Sequence, residues 1–182
     1  GPLLKRHNAA VLIGHNALKN LAGIVRVDLY DGTMQAVDHL VAGGRRNLAY
    51  VDTMPDDKHV NVERHRGLRA AMAKHQIPIV PEYFVHCDGT MLGSQRTTEA
   101  LLQQHPEIDG IICHHDILAY GALEACDRLQ ITVPEQVAVI GFDDISFSGL
   151  HRISLTTLRL PKGEIGQQAA QMLFRRIEGN LE

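Results

Sequence analysis

Cysteine is scarce: Cys87, Cys113 and Cys126 are all the chain has. An odd number at wide spacing implies no disulfide framework, so a reducing compartment, the cytoplasm, is the simpler expectation. No CxxC or HExxH spacing occurs, so no metal centre and no cofactor are expected. No run of about 18 apolar residues exists that a bilayer-spanning helix would need, and no membrane partner is expected. Positive charge is not in excess either. With 18 Lys and Arg against 21 Asp and Glu, the net charge is -3, which leaves no basic face wide enough to hold nucleic acid by phosphate neutralisation alone. Proline is sparse, at 7 against 16 Gly, and there is no internal repeat, low-complexity tract or Ser- or Gly-rich linker. A disordered or fibrous chain is thereby excluded.

What is present is an ordinary globular composition, 45% hydrophobic and 21% charged over 182 residues. That length buries one substantial core or two small lobes. Gly1-Pro2 reads as the remnant of a cleaved tag, so the native N-terminus is expected to lie elsewhere. Short β-rich apolar runs alternate with longer amphipathic stretches. Strands are predicted at Ala10–Ile13, Ile24–Asp28, Leu48–Asp52, Glu82–His86, Gly110–Cys113 and Val137–Gly141, and helices at Gly32–Ala42, Val62–His75, Gly93–Gln104, Ile117–Leu129 and Lys162–Glu178. A βαβα series with near-continuous apolar strands predicts an α/β fold, a doubly wound parallel sheet covered on both faces. Asp31 and Asp116 stand where N-cap carboxylates would, and Gly43-Gly44 and Gln76-Ile77-Pro78 supply helix stops.

In an open parallel sheet, ligands bind beyond the carboxyl ends of the strands. The residues following each strand are Gly14-His15-Asn16, Asp28, Asp52-Thr53, His86-Cys87-Asp88, His114-His115-Asp116 and Asp143-Asp144. Carboxylates, imidazoles and amides gathered at one edge suit a ligand rich in hydroxyl groups, because each hydroxyl can donate to a carboxylate and accept from a neighbour.

The segments "DGTMQAVDHLVAGGRRNLAYV" (31–51), "ERHRGLRAAM" (63–72), "IDGIICHHDILAYGALEA" (108–125), "VPEQVAVIGFDD" (133–144) and "LTTLRLPKGEIGQQAAQML" (155–173) follow one another in a telling order. In order and spacing they resemble the effector-binding core of the lactose/galactose repressor family of bacterial transcription regulators. The resemblance implies a periplasmic-binding-protein-like fold of two α/β lobes with a sugar or nucleobase effector in the cleft. It implies one complete lobe plus part of another here: residues 28–158 form the second lobe, and 1–27 with 159–182 a partial first lobe. It also implies a homodimer that meets operator DNA through an N-terminal helix-turn-helix absent from this chain, and no enzymatic activity. A periplasmic sugar-binding protein of a transporter shares the fold and is the alternative; an upstream helix-turn-helix or a signal peptide would discriminate the two.

Residue by residue, the resemblance places Arg64, three before Gly67, as the arginine that donates to effector hydroxyls or a carboxylate, a task suited to the guanidinium fork. Asp143 matches a carboxylate that accepts from sugar hydroxyls, while Asp144 braces the turn and Phe142 is core. Asp31 is equally a plain N-cap or an effector contact. Gly14 stands where some relatives have an effector-contacting acid, so His15 or Asn16 substitutes or the contact is absent. Near Cys87-Asp88-Gly89 the family's stacking aromatic is missing. In "CHHD" (113–116), His115 takes the place of an effector-binding Asn and Asp116 caps the next helix. An imidazole there would make affinity pH-dependent.

The same tetrapeptide also admits a metal or nucleophile reading, since "VHCD" (85–88) repeats its chemistry. Strand alternation puts Cys113 and His115 on one face and His114 on the other, toward packing or solvent, so adjacent histidines cannot easily share an ion. Strand-end thiols are more often buried and inert than nucleophilic.

Overall fold

The computed structural model describes residues 10–14, 23–53 and 60–178. Its centre is a five-stranded parallel sheet of β3 (Leu48–Thr53), β4 (Phe84–Cys87), β5 (Gly110–Cys113), β6 (Ala138–Asp143) and β7 (Thr156–Arg159), in the order β4-β3-β5-β6-β7. Alternation along the strands sorts side chains onto two helix-covered faces. Leu48, Tyr50, Ile112 and Ile140 pack under α1 (Leu29–Ala42) and α2 (Val60–Lys74). Ala49, Val51, Ile111, Cys113 and Val139 pack under α3 (Met91–Gln104) and α4 (Asp116–Arg128). Burial on both sides explains why these strands read as continuous apolar runs.

A smaller parallel pair, β1 (Val11–Ile13) with β2 (Gly23–Val25), carries α5 (Lys162–Ile177) on it. The contact is close at Gly23, where an added Cβ would lie 2.1 Å from the Met172 sulfur.

Every predicted element is found, with ends displaced by a few residues, and one strand, β7, is additional. Its four residues, Thr156–Arg159, form a half-exposed sheet edge beside β6. So short and polar a segment carries no apolar period to announce it. At β4 a single 3₁₀ turn over Pro81–Tyr83 delays the strand to Phe84, because proline at the turn's start cannot donate to a sheet ladder.

Two capping expectations need correction. Asp28, not Asp31, caps α1, accepting from the Asp31 backbone N–H at 2.8 Å. His115, not Asp116, occupies the cap of α4, its Nδ1 facing the Leu118 N–H at a long 3.4 Å. Asp116 lies inside the helix, fully buried.

Candidate functional site

The order β4-β3-β5-β6-β7 reverses direction between β3 and β5. At such a switch point the connections leave on opposite faces, and a crevice opens beyond the carboxyl ends. β3 ends there in Asp52-Thr53, β5 runs into His114-His115, and β6 ends in Asp143. The first turns of α2 bring Arg64 and His65 to the same place.

Arg64 is 5% exposed. Its guanidinium carbon lies 4.1 Å from the centroid of the Phe142 ring, a cation–π stack, and the ring is backed by Gly32, where a Cβ would approach it to 3.2 Å. Among the described residues, the Nε and Nη1 of Arg64 are buried without a hydrogen-bond partner. Burial pulls its pKa down, opposed by the nearby Tyr50, Asp143 and Asp52. Asp143 is half-buried, and burial raises its pKa while Arg64 and His115 act to lower it. His115 is lowered by burial and then by His114, with Asp143 opposing. Thus Arg64, His115 and Asp143 share one electrostatic neighbourhood.

Of the other expected residues, Asp31 is exposed on α1, where its Oδ2 accepts from the Gln35 side chain at 2.6 Å. His15 lies outside the described residues. Phe142 is core as expected, at 2% exposed, yet it is also the platform for Arg64. Asp144 accepts from the Arg159 Nε and takes the Thr157 hydroxyl against its N–H, which fits a bracing role.

Asp143 and Asp144 both have positive φ, 106° and 50°. Side-chain-bearing residues there cost on the order of 1–3 kcal/mol each and persist where surrounding contacts fix them. Those contacts centre on Asp116. Its carboxylate accepts from the Ile145 N–H at 2.9 Å, the Ser148 hydroxyl at 2.6 Å and the Thr157 hydroxyl at 2.5 Å, and Ser148 also meets the Tyr120 hydroxyl at 2.8 Å. The carboxylate therefore ties the start of α4 to the loop after β6 and to β7.

A second carboxylate was not anticipated in its role. Asp52 is fully buried; its Oδ2 accepts from His65 Nε2 at 2.8 Å, and its Oδ1 lies 2.9 Å from His114 Nδ1 and accepts from the Thr53 N–H at 2.7 Å. Burial pushes its pKa up, but the two imidazoles and the Thr53 amide outweigh that and hold the carboxyl well below the usual range. The Tyr50 hydroxyl stands 3.4 Å from His114 Nδ1. His114 thus faces a buried carboxylate rather than apolar packing or open solvent. Parity contained the signal: Tyr50 and Asp52 share a face with Ile112 and His114, under the helix that carries His65.

Among the described residues no group of three or more His, Cys, Asp or Glu is placed to hold a metal ion. All three cysteines are buried, and burial raises the pKa of each thiol, opposite to what a nucleophile needs.

Residues 37–182 match the family model described as a periplasmic binding protein-like domain. The arabinose metabolism transcriptional repressor of Geobacillus stearothermophilus is 31% identical over 94% of this chain and 48% of its own length. A regulatory protein of the LacI family from Chloroflexus aggregans superposes with a TM-score of 0.88 at 28% identity, over 99% of this chain and 64% of that one. A sugar-binding transcriptional regulator of the LacI family from Escherichia coli, complexed with phosphate, gives a TM-score of 0.87 at 25% identity, over 98% and 64%. The chain spans about half the length of the curated relatives it matches.

Proposed function

Because the chain belongs to the periplasmic binding protein-like domain family, in the company of LacI-family regulators, we propose that it is the ligand-sensing part of a bacterial DNA-binding repressor. Its effector is a sugar or sugar derivative. The observation that carries this reading is Arg64: a buried guanidinium with two nitrogens lacking acceptors among the described residues, beside Asp143 and His115 at the switch point of a parallel sheet. Unpaired donors in a protein interior cost about 1–3 kcal/mol each, and a hydroxyl-bearing ligand relieves them. Asp143 then accepts from ligand hydroxyls, His115 donates or accepts, and Phe142 holds the guanidinium in plane. The relatives are transcriptional regulators rather than enzymes, and this favours a regulator over a transporter's sugar-binding protein.

In this reading residues 28–158 form the second lobe, and 1–27 with 159–182 belong to the first. The packing of α5 on β1 and β2 instead of on the five-stranded sheet supports that division. The effector closes the two lobes and selects one of two arrangements, which sets the spacing of N-terminal DNA-binding heads on an operator. The regulator acts as a cytoplasmic homodimer. Exposed Phe147 and Leu150, 62% and 50% accessible, support self-association, and a Phe147→Asp/Leu150→Asp protein that still sediments as a dimer would remove that support.

The test is a thermal-shift screen of the full-length protein against mono- and disaccharides and sugar phosphates. Ligand at 100 times its Kd stabilises by about 2.7 kcal/mol, so a true effector raises the melting temperature by several degrees. Uniformly unchanged melting overturns the reading.

A further inference from the structure

Arg64 and His115 reach the switch point on different elements, the first turns of α2 and the cap of α4. Each stands next in sequence to a histidine, and both of those histidines end on one carboxylate. His65 Nε2 lies 2.8 Å from Asp52 Oδ2, and His114 Nδ1 lies 2.9 Å from Asp52 Oδ1. Asp52 is fully buried at the end of the inner strand β3, and the Thr53 N–H donates to its Oδ1 at 2.7 Å. An ionised carboxylate only accepts, so the nitrogen that each ring turns toward it carries the hydrogen. One side chain thereby sets the tautomer and the ring plane of two imidazoles that come from two elements.

The two ties act on opposite sides of the crevice. On the α2 side, among the described residues, His65 makes the side-chain hydrogen bond that joins the first turns of the helix to the sheet, with its ring edge-on to Tyr50 at 5.3 Å. Arg64 is one residue back. Its Nε and Nη1 have no hydrogen-bond partner among the described residues, so its aim depends on the Phe142 platform and on where the helix is held. On the β5 side, the His114 N–H donates to the Val51 carbonyl at 2.9 Å, one step beyond the Val51–Cys113 pairing. The His114 ring then meets that of His115 edge to face, with 5.6 Å between centroids. The Nδ1 of His115 has only the long approach of the Leu118 N–H among the described residues, which leaves its ring to be steered by packing.

We propose that Asp52 is a positioning residue for the effector site: through His65 it holds the helix turn that carries Arg64, through His114 it holds the ring against which His115 packs, and so it sets the span between the two. This rests on the effector-binding reading above and deepens it. In metal sites, groups that orient a binding side chain without touching the metal carry about 10–100-fold in affinity or activity. A buried bridge between two effector-binding residues acts on the same principle.

Conservative replacement supplies the test. In Asp52→Asn the amide oxygen accepts from one imidazole and the NH2 group donates to the other, which moves its hydrogen to its far nitrogen; Asp52→Leu fills the space and makes neither bond. Isothermal titration of the full-length protein uses the tightest-binding member of the mono-, disaccharide and sugar phosphate panel. Asp52→Asn stays within threefold of wild type, with one changed histidine tautomer in its 15N spectrum, while Asp52→Leu loses tenfold or more at unchanged stoichiometry. An Asp52→Asn protein as weak as Asp52→Leu overturns the proposal, since charge and not the two hydrogen bonds would then set the affinity. If Asp52→Leu does not fold, His65→Gln, whose amide nitrogen can stand in for Nε2, keeps affinity where His65→Leu loses it; equal losses from both overturn the proposal. In the ligand-free protein, the ring-to-ring nuclear Overhauser contact of His114 with His115 persists in Asp52→Asn and disappears in Asp52→Leu. His75→Leu breaks a comparable pair with Asp38 beyond the other end of α2 and leaves affinity unchanged; a loss there equal to that of His65→Leu would reduce the effect to general stability and sink the idea. Wild-type affinity in Asp52→Leu overturns this proposal alone, whereas absence of binding by every panel member overturns the effector reading with it.

Discussion

Arg64 links binding and stability in opposite directions. Replacing it with Met keeps the stem over Phe142 and removes a buried guanidinium whose Nε and Nη1 have no hydrogen-bond partner among the described residues. The expected outcome is effector binding lost and a chemical denaturation midpoint at or above wild type; a fall in midpoint would show that the guanidinium was satisfied after all. Arg64→Lys keeps the charge without the fork, and a tenfold or larger loss of affinity by titration calorimetry is expected.

His115 makes a pH prediction whose sign follows from burial. Its folded pKa lies below the ordinary 6.5, so the unfolded chain binds the extra proton first. The penalty is absent above pH 6.5 and grows as pH falls below it toward the folded pKa. Asp52, depressed below 3.8, adds stability that is present above that pH and is lost in stronger acid. Asp143 is raised and opposes both weakly, since its ionisation disfavours the fold. Effector affinity should be flat from pH 7 to 8 and change only below 6.5, and His115→Asn should flatten the upper part of that acid limb in both affinity and melting curves.

At the scale of elements, the helix pairs are set by two glycines. A Cβ on Gly67 would lie 2.3 Å from the Tyr30 carbonyl oxygen, and one on Gly121 would lie 2.3 Å from that of Met91. Each permits backbone-close packing, α1 on α2 and α3 on α4. Gly67→Ala and Gly121→Ala should each destabilise by about 1–3 kcal/mol in urea unfolding, the usual range for overpacking, despite alanine's better helix propensity. Asp116→Asn replaces one of three buried acceptor contacts with a donor. A loss of about 3–5 kcal/mol is expected by analogy with broken buried networks, with faster hydrogen exchange across residues 144–157; exchange unchanged there would mean that the loop is held elsewhere.

These elements show what sequence carries. Strand and helix order was legible because two-sided burial writes apolar runs such as Leu48–Val51 and Ile111–Cys113, and because Gly43-Gly44 marks a stop. β7 was not, since a half-exposed edge of Thr156–Arg159 needs no apolar pattern. The buried role of Asp116 was hidden for a different reason: a carboxylate beginning a helix reads as a cap, and only tertiary structure shows three partners from beyond residue 144. Asp52 with His65 and His114 could have been reached from parity alone, by asking which strand-end groups share a face with α2.

Across the whole molecule, the switch point gathers residues from four places in the chain, the ends of β3, β5 and β6 and the start of α2, so site and fold are not separable. The three donors to Asp116 lie 29, 32 and 41 residues further along. A chain leaving the ribosome at about 5–20 residues per second must therefore wait roughly 2–8 seconds between making Asp116 and making Thr157. Until Ile145 and Ser148 are made α4 can form, but its first carboxylate lacks all three donors, and the last of them arrives only with Thr157. The β6 end with Asp143 cannot be locked until synthesis has passed the sheet's last strand. The switch-point crevice is thus dated within the life of the molecule: helices and inner strands can come early, and its rim is fixed only when the outermost strand closes the edge.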